Sequence, residues 1–208
     1  MIRLFRWMAA ITFLAAVAVA AEPGRPVMRE LPPRALDRPP SPRALVDARA
    51  ELQRRFRGPL ARANSTAGAN HAAELLLDAA VAEADRSLKW LMFAEARRLA
   101  GTTGNAPVID HAIVLASASF DFDEIALELE SLGEIPLRGL DAGRASLMAQ
   151  VAERLATRAE TDDRLAEARD AQMLAVRAWQ RAGNKAAAVN AAVRHDALAA
   201  AAARQRER

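Results

Sequence analysis

Apolar side chains recur at every third or fourth position from residue 45 onward, and this spacing constrains the fold more than any other feature of the chain. The stretch from Ser87 to Ala116, SLKWLMFAEARRLAGTTGNAPVIDHAIVLA, shows the pattern twice, on either side of a short polar break. Residues three or four apart share one face of an α-helix, so each half predicts an amphipathic helix. Glycines in the break can adopt the positive φ that ends a helix, so the whole stretch predicts a helical hairpin.

The same spacing along the rest of the chain predicts an all-α fold of about eight helices, arranged as stacked antiparallel hairpins. The segment GEIPLRGLDAG, residues 133–143, is the clearest interruption, and it predicts either a hinge between two subdomains or a longer loop. The residues predicted to face inward are Leu45, Ala48, Leu52 and Phe56; Leu88, Leu91, Met92, Ala96 and Leu99; Ile109, Ala112, Ile113, Ala116 and Phe120; Ile125, Leu129 and Leu132; Leu147, Val151 and Leu155; Leu165, Ala168, Gln172, Ala175, Val176 and Trp179; and Val189, Ala192, Val193 and Ala197.

A proline-rich segment precedes these helices, with seven of the ten prolines between Glu22 and Pro42. Proline lacks the backbone N–H and restricts φ, so residues 21–44 predict a disordered or extended leader of polyproline II character. The leader serves either as a spacer or as a docking peptide. Ser41 and Pro42 predict the N-cap and first turn of the first helix, so the helical domain spans residues 45–203 and a frayed basic tail spans 204–208.

The first twenty residues, MIRLFRWMAAITFLAAVAVA, have the three-part pattern of a secretory signal peptide. Arg3 and Arg6 give a positive start, an apolar run follows, and the final Ala-Val-Ala offers a cleavage site before Ala21. The alternative is a retained anchor, but the apolar run is about 21 Å long as a helix, shorter than a hydrocarbon core of about 30 Å. The sequence therefore predicts export to the periplasm or beyond the cell, with no membrane contact after cleavage.

Composition excludes several functional classes. The chain has no cysteine, which excludes disulfides, thiolate metal sites and a cysteine nucleophile. The net charge of +3 falls to +1 without the signal, and from residue 45 onward 22 basic residues are balanced by 23 acidic ones. Such a balance predicts a mixed-charge surface and no nucleic-acid partner, because nucleic-acid binding requires a basic stripe or patch.

The residues that could carry chemistry fit structural roles better. His111 and His195 each neighbour an aspartate, but adjacent helical residues point about 100° apart, so neither pair nor His71 predicts a catalytic dyad. The acids of Asp121–Glu124 and the pair Asp162-Asp163 are expected to cap helix starts rather than bind calcium. Gly101–Asn105 lacks the strand and lysine of a phosphate loop. Aromatic residues such as Trp90 lie on apolar faces, so the sequence predicts no catalytic, cofactor-binding or metal-binding residue.

Two Gly-Asn pairs, Gly104-Asn105 and Gly183-Asn184, lie 79 residues apart, about twice the length of a helical repeat. SLKWLMFAEARRLA followed by APVIDHAIVLASASF resembles the paired helices of tetratricopeptide-like repeats, without their Leu-Gly and Tyr positions or closing proline. The region from LVDARAELQRRF through FDFDEIALELESL is similar to a helical segment of uncharacterised bacterial exported proteins. This resemblance implies either a right-handed tetratricopeptide-like solenoid or an irregular helical bundle, and it implies no activity.

These observations together predict a non-catalytic, exported interaction scaffold whose partner is a protein and which uses no cofactor. Stacked hairpins leave an outer face whose side chains can vary without disturbing the core. One alternative is a small exported hydrolase or accessory enzyme subunit, which requires His71, His111, His195 or the acidic clusters to meet in a cleft. Another is an envelope-tethered spacer that keeps its N-terminal anchor.

Overall fold

The computed structural model describes residues 36–207, and in this range it confirms the predicted all-α fold. The only β-type contact among these residues is an isolated bridge between Asp37 and Phe120. The predicted signal peptide, residues 1–20, and the first part of the leader lie outside the described residues. The helices of the described range are α1 (Leu45–Arg55), α2 (Arg57–Ala61), α3 (Thr66–Ala82), α4 (Arg86–Thr103), α5 (Ala106–Ser117), α6 (Glu124–Gly133), α7 (Ala142–Thr161), α8 (Leu165–Ala182) and α9 (Lys185–Arg206), with a 3-10 helix at Leu137–Gly139.

The described chain thus has nine α-helices, one more than the sequence predicted, because the first predicted helix is followed by the short helix α2. Pro59 accounts for the break. Its ring would collide with the carbonyl of Arg55 in a continuous helix, and it has no N–H to donate to that carbonyl. Phe56 therefore leaves the helical conformation, with φ −106° and ψ 20°, and the chain restarts at Arg57.

Helix starts follow the capping residues that the sequence offers. Ser65, Asp85, Asp141 and Asn184 each accept a hydrogen bond from a backbone N–H in the first turn of the helix that follows. The predicted cap at Ser41 is wrong in detail, because α1 begins at Leu45 after a turn. In that turn Ser41 Oγ accepts a 3.4 Å hydrogen bond from the N–H of Ala44. The short caps satisfy N–H groups that would otherwise lack partners.

Two core clusters meet at α5. Ile109 and Ile113 belong to a cluster shared with helices α6–α9, whereas Ala112 and Ala116 belong to one shared with α1, α3 and α4. Residues one helical turn apart share a face, so α5 presents one face to each cluster. Consecutive helices pack against each other in the α3–α4, α4–α5, α7–α8 and α8–α9 hairpins.

The interruption at residues 133–143 is a packed loop. Ile135 and Leu140 are buried in the cluster with α5–α9. All described residues belong to one compact unit, so the loop does not divide them into two units.

Three predictions about the last helices are wrong. Leu147 is 46% exposed, and three of the four residues assigned to the stripe of the last helix face solvent: Val189 (61% exposed), Val193 (66%) and Ala197, whereas Ala192 is partly buried. The buried face of α9 is formed instead by Ala188, Ala191, Leu198 and Ala202, and the small alanines permit close approach to α8. The tail does not fray at residue 204: α9 continues to Arg206, and Gln205 Nε2 donates a 3.1 Å hydrogen bond to Asp163 Oδ2.

The end of the leader is held against the helical body. The Asp37 N–H donates to Ser119 O at 3.2 Å, and Asp37 O accepts from the Asp121 N–H at 2.7 Å. Arg86 at the start of α4 contacts the Asp37 carboxylate and donates to Arg38 O. The leader is therefore hydrogen-bonded at Asp37 to the segment between α5 and α6, and residues 42–44 form a turn before α1. Among the described residues, no helix is long and apolar enough to cross a membrane.

Candidate functional site

The residues weighed as catalytic candidates do not form a site in the described part of the chain. His71 and His111 are exposed, and neither of the two clefts discussed below has a histidine in its wall. His195 Nδ1 lies 3.1 Å from Asp196 Oδ1, so the expectation that these neighbours point apart is wrong. The Asp196 side chain is 83% exposed, so this contact is a surface pair.

The acidic clusters divide between capping and turn roles. Asp123 caps α6, with Oδ1 accepting a 2.9 Å hydrogen bond from the Ala126 N–H, as predicted. Its ion pair with Arg164 lowers the pKa of Asp123. Asp162 and Asp163 do not cap α8: Asp162 ends α7, and Asp163 takes a left-handed φ of 58° in the turn. Across residues 36–207, no group of three or more His, Asp or Glu side chains is placed to hold a metal ion.

The aromatic residues form part of the core, as predicted. Trp90 packs edge-on against Phe120 and Phe122, with ring centroids 5.1 and 5.5 Å apart. Trp179 is buried, and its indole N–H donates to Glu153 Oε1 at 2.9 Å. Edge-to-face pairs and a satisfied indole are typical of packing.

An open cleft of about 580 Å³, which we call the Arg97 cleft, lies between α1, α4 and the segment that ends α6. Leu52, Leu91 and Ala94 supply apolar wall, and polar or charged side chains surround them. This mixture of apolar surface and a few polar groups is typical of binding clefts. The full set of lining residues is Arg49, Leu52, Gln53, Leu91, Ala94, Glu95, Arg97, Arg98, Gly101, Thr102, Ser131, Glu134 and Pro136.

The charges of this cleft are unevenly paired. Arg98 forms a two-point contact with Glu95, through Nε at 2.8 Å and Nη2 at 2.6 Å. Arg97, one residue earlier, has no ion pair with any described residue, and its Nη1 is buried without a hydrogen-bond acceptor. Burial lowers the pKa of Arg97, an effect that the more distant Glu130 and Glu134 partly oppose. Arg97 is therefore a partly desolvated cation that the described fold leaves without a direct counterion.

A second cleft, the Arg154 cleft, has a volume of about 690 Å³ and lies between α5, α7 and α9. Each of its arginines has a carboxylate partner. Arg154 contacts Asp110 at 3.0 Å, Arg194 contacts Glu160 at 2.8 Å, and Arg158 contacts Glu128. The lining residues are Asp110, Gln150, Glu153, Arg154, Thr157, Arg158 and Arg194.

Glu128 of α6 is the most deeply buried acid of the described chain, at 1% exposure. Desolvation raises the pKa of Glu128 to about 7, although its partner Arg158 opposes the shift. Its Oε1 and the Nε of Arg158 have no hydrogen-bond partner among the described residues. The Glu128–Arg158 pair therefore lacks hydrogen bonds at two buried atoms, so its burial lowers the stability of the folded protein.

Sequence reasoning missed both Arg97 and Glu128. Phe93 and Ala94 are apolar residues of α4, and Arg97 follows them by four and three residues, so the three share one side of the helix. The same periodicity therefore places Arg97 on that inner face, a signal that was available. Glu128 carries a similar signal, since it follows the inward-facing Ile125 by three residues.

Comparisons with known proteins give no match: no family model matches the chain, and neither curated proteins nor solved structures show significant similarity to it.

Proposed function

We propose that this chain is a non-catalytic, exported interaction scaffold, and that it binds a protein partner through the Arg97 cleft. The observation that carries the proposal is the composition of this cleft, whose wall combines apolar surface with a partly buried arginine that the fold does not pair. Because the fold leaves this cation without a counterion, a partner that carries a carboxylate gains an ion pair at the cleft without breaking an existing one.

The architecture supports the same role. The cleft draws its wall from helices α1, α4 and α6, which packing already positions, so binding requires no rearrangement of the core. Packed helical hairpins are also the feature on which the resemblance to tetratricopeptide-like repeats rests. Such repeats commonly present interaction surfaces, although fold alone does not establish a function.

Site-specific photo-crosslinking in the producing cells tests the proposal. The exposed Gln53 at the cleft is replaced by a benzoylphenylalanine, and Gln180, an exposed glutamine of α8 outside both clefts, receives the same group as the matched control. We expect a discrete crosslinked protein from position 53 and none from position 180. Crosslinks at both positions, or at neither, contradict a partner at the Arg97 cleft.

The exported location has its own test. N-terminal sequencing of the protein recovered outside the cytoplasm is expected to start at Ala21 or Glu22. A start at Met1 in the membrane fraction would instead support the tethered spacer.

A further inference from the structure

Arg97 differs from the other unpaired arginines of the described residues in being partly buried. Its neighbour Arg98 is neutralised by Glu95, and every arginine of the Arg154 cleft contacts a carboxylate. Arg97 lies in the wall of the cleft among apolar side chains, with one guanidinium nitrogen shut off from water. Only that nitrogen is buried without a partner, so the other guanidinium nitrogens of Arg97 stay accessible to a carboxylate that enters the cleft, and charge-assisted hydrogen bonds to them are strong.

The rest of the cleft wall is complementary to an acidic chain segment. Arg49 of α1 lines the cleft and has no ion pair with a described residue, so Arg49, Arg97 and Arg98 face Glu95 and Glu134 for a net charge of +1. Leu52, Leu91 and Ala94 offer apolar surface beside these charges. A segment that alternates aliphatic and acidic side chains matches both features at once.

We propose, resting on the function proposed above, that the Arg97 cleft recognises an acidic segment of the partner protein. One carboxylate of the segment pairs with Arg97, and a neighbouring aliphatic side chain packs against Leu52 and Leu91. Arg49 adds longer-range attraction from the exposed rim. Glu134 repels the acidic segment and so lowers the affinity of the cleft for it. An acidic segment without aliphatic side chains therefore binds weakly.

The test uses the mature protein, residues 21–208, and three fluorescein-labelled peptides of identical length. The acidic probe is Gly-Leu-Glu-Glu-Leu-Glu-Gly, and in its analogues every Glu is replaced by Gln or by Lys. Fluorescence anisotropy at low ionic strength is expected to show the acidic probe binding at least about tenfold more tightly than the Gln analogue. Arg97→Gln removes this preference, whereas Glu134→Gln strengthens binding of the acidic probe.

Two further arginine variants serve as controls for net charge and for the choice of cleft. Arg177→Gln removes an exposed charge of α8 outside both clefts, and Arg154→Gln removes a charge from the other cleft. Both are expected to change the affinity for the acidic probe by less than about threefold. The thermal midpoint of Arg97→Gln is expected to be no lower than that of the wild type, because the variant removes an unpaired buried charge.

The outcomes separate this inference from the function on which it rests. Equal binding of all three peptides, preference for the Lys analogue, loss of binding in Arg154→Gln but not in Arg97→Gln, or no peptide binding each overturns the inference. If crosslinks still form specifically at position 53, the proposed function survives such a result. If those crosslinks are absent as well, both proposals fail.

Discussion

The α4–α5 and α8–α9 hairpins both turn at a Gly-Asn pair, but the glycine is buried in the first hairpin and exposed in the second. Gly104 and Gly183 both end a helix in the left-handed conformation, with φ of 69° and 75°, and an asparagine follows each. A Cβ on Gly104 would overlap Cδ2 of the buried Leu140, whereas a Cβ on Gly183 would meet nothing within 4 Å. The same local sequence therefore forms a buried joint in one hairpin and an exposed turn in the other.

The largest expected effect comes from replacing the two glycines by alanine. The left-handed conformation costs a residue with a Cβ about 1–2 kcal/mol, which is the whole effect expected for Gly183→Ala. Gly104→Ala adds an overpacking cost of about 1–3 kcal/mol against Leu140. Urea unfolding monitored by circular dichroism should therefore rank Gly104→Ala below Gly183→Ala in stability. Equal losses of stability in the two variants would show that Leu140 does not restrict the space at Gly104.

Leu140 provides the control for that comparison. Leu140→Ala alone should destabilise the protein, because it removes a buried side chain. Combined with Gly104→Ala, the loss should be smaller than the sum of the single losses, since the overlap is gone. The same combination with Gly183→Ala should be additive.

Both tips were predictable from sequence because helix ends depend on local chemistry. The Gly-Asn pairs, the cap at Asp123, and the stripe from Leu88 to Leu99 require only neighbours within a few residues. What surrounds a tip does not follow from such signals. That Leu140, 36 residues later, covers Gly104 depends on the path of the loop at residues 133–143.

The last helix shows where periodicity fails. In α9 nearly every face offers alanine or valine, so the spacing of Val189 and Val193 suggested a buried stripe that the structure places in solvent. The contact with α8 uses Ala188 and Ala191, whose small size allows close packing but gives a weak signal in sequence. The Arg97 cleft was missed for a related reason: a charged residue on an inner face reveals its role only through its spatial neighbours.

The second prediction concerns the charges beside each hairpin. Asp110 of α5 lies near the buried Glu128–Arg158 pair, whereas Arg194 of α9 forms an exposed pair with Glu160. Because the pKa of Glu128 is raised to about 7, the folded state holds a proton that the unfolded state releases near pH 4.5. Stability from this group is fully present below that pH and is lost as pH rises through 7.

The size of this loss is at most about 3.5 kcal/mol, since the pKa rises from 4.5 to about 7 and each pKa unit corresponds to about 1.4 kcal/mol. Glu128→Gln should flatten the decline in unfolding free energy between pH 5 and pH 8, and Glu160→Gln, which alters only the exposed pair, should leave it unchanged. Urea titrations at both pH values provide the measurement. An unchanged slope in Glu128→Gln would mean that Arg158 keeps the carboxylate ionised throughout.

The third prediction compares equivalent buried positions of α4 and α8. Phe93 and Gln172 are 79 residues apart, as are the two glycines, and both are buried. Gln172 Nε2 donates a 3.3 Å hydrogen bond to Ala191 O, but its Oε1 has no partner among the described residues. Gln172→Leu should therefore stabilise the protein by about 1 kcal/mol, because it removes an incompletely satisfied amide at similar volume. Differential scanning calorimetry measures the shift, and a lower midpoint would show that the amide contact holds α9 in place.

The smallest effect is expected at a position that is exposed in both hairpins. Val114 of α5 and Val193 of α9 occupy equivalent positions, and both are exposed, at 46% and 66%. Val114→Lys and Val193→Lys should each change the unfolding free energy by less than about 0.5 kcal/mol, since surface substitutions away from packing contacts are nearly neutral. Urea unfolding at two protein concentrations checks this. If only Val193→Lys lowers the unfolding free energy, and the loss grows with protein concentration, then a second copy of the chain covers α9. The α8–α9 hairpin would then be buried in a dimer.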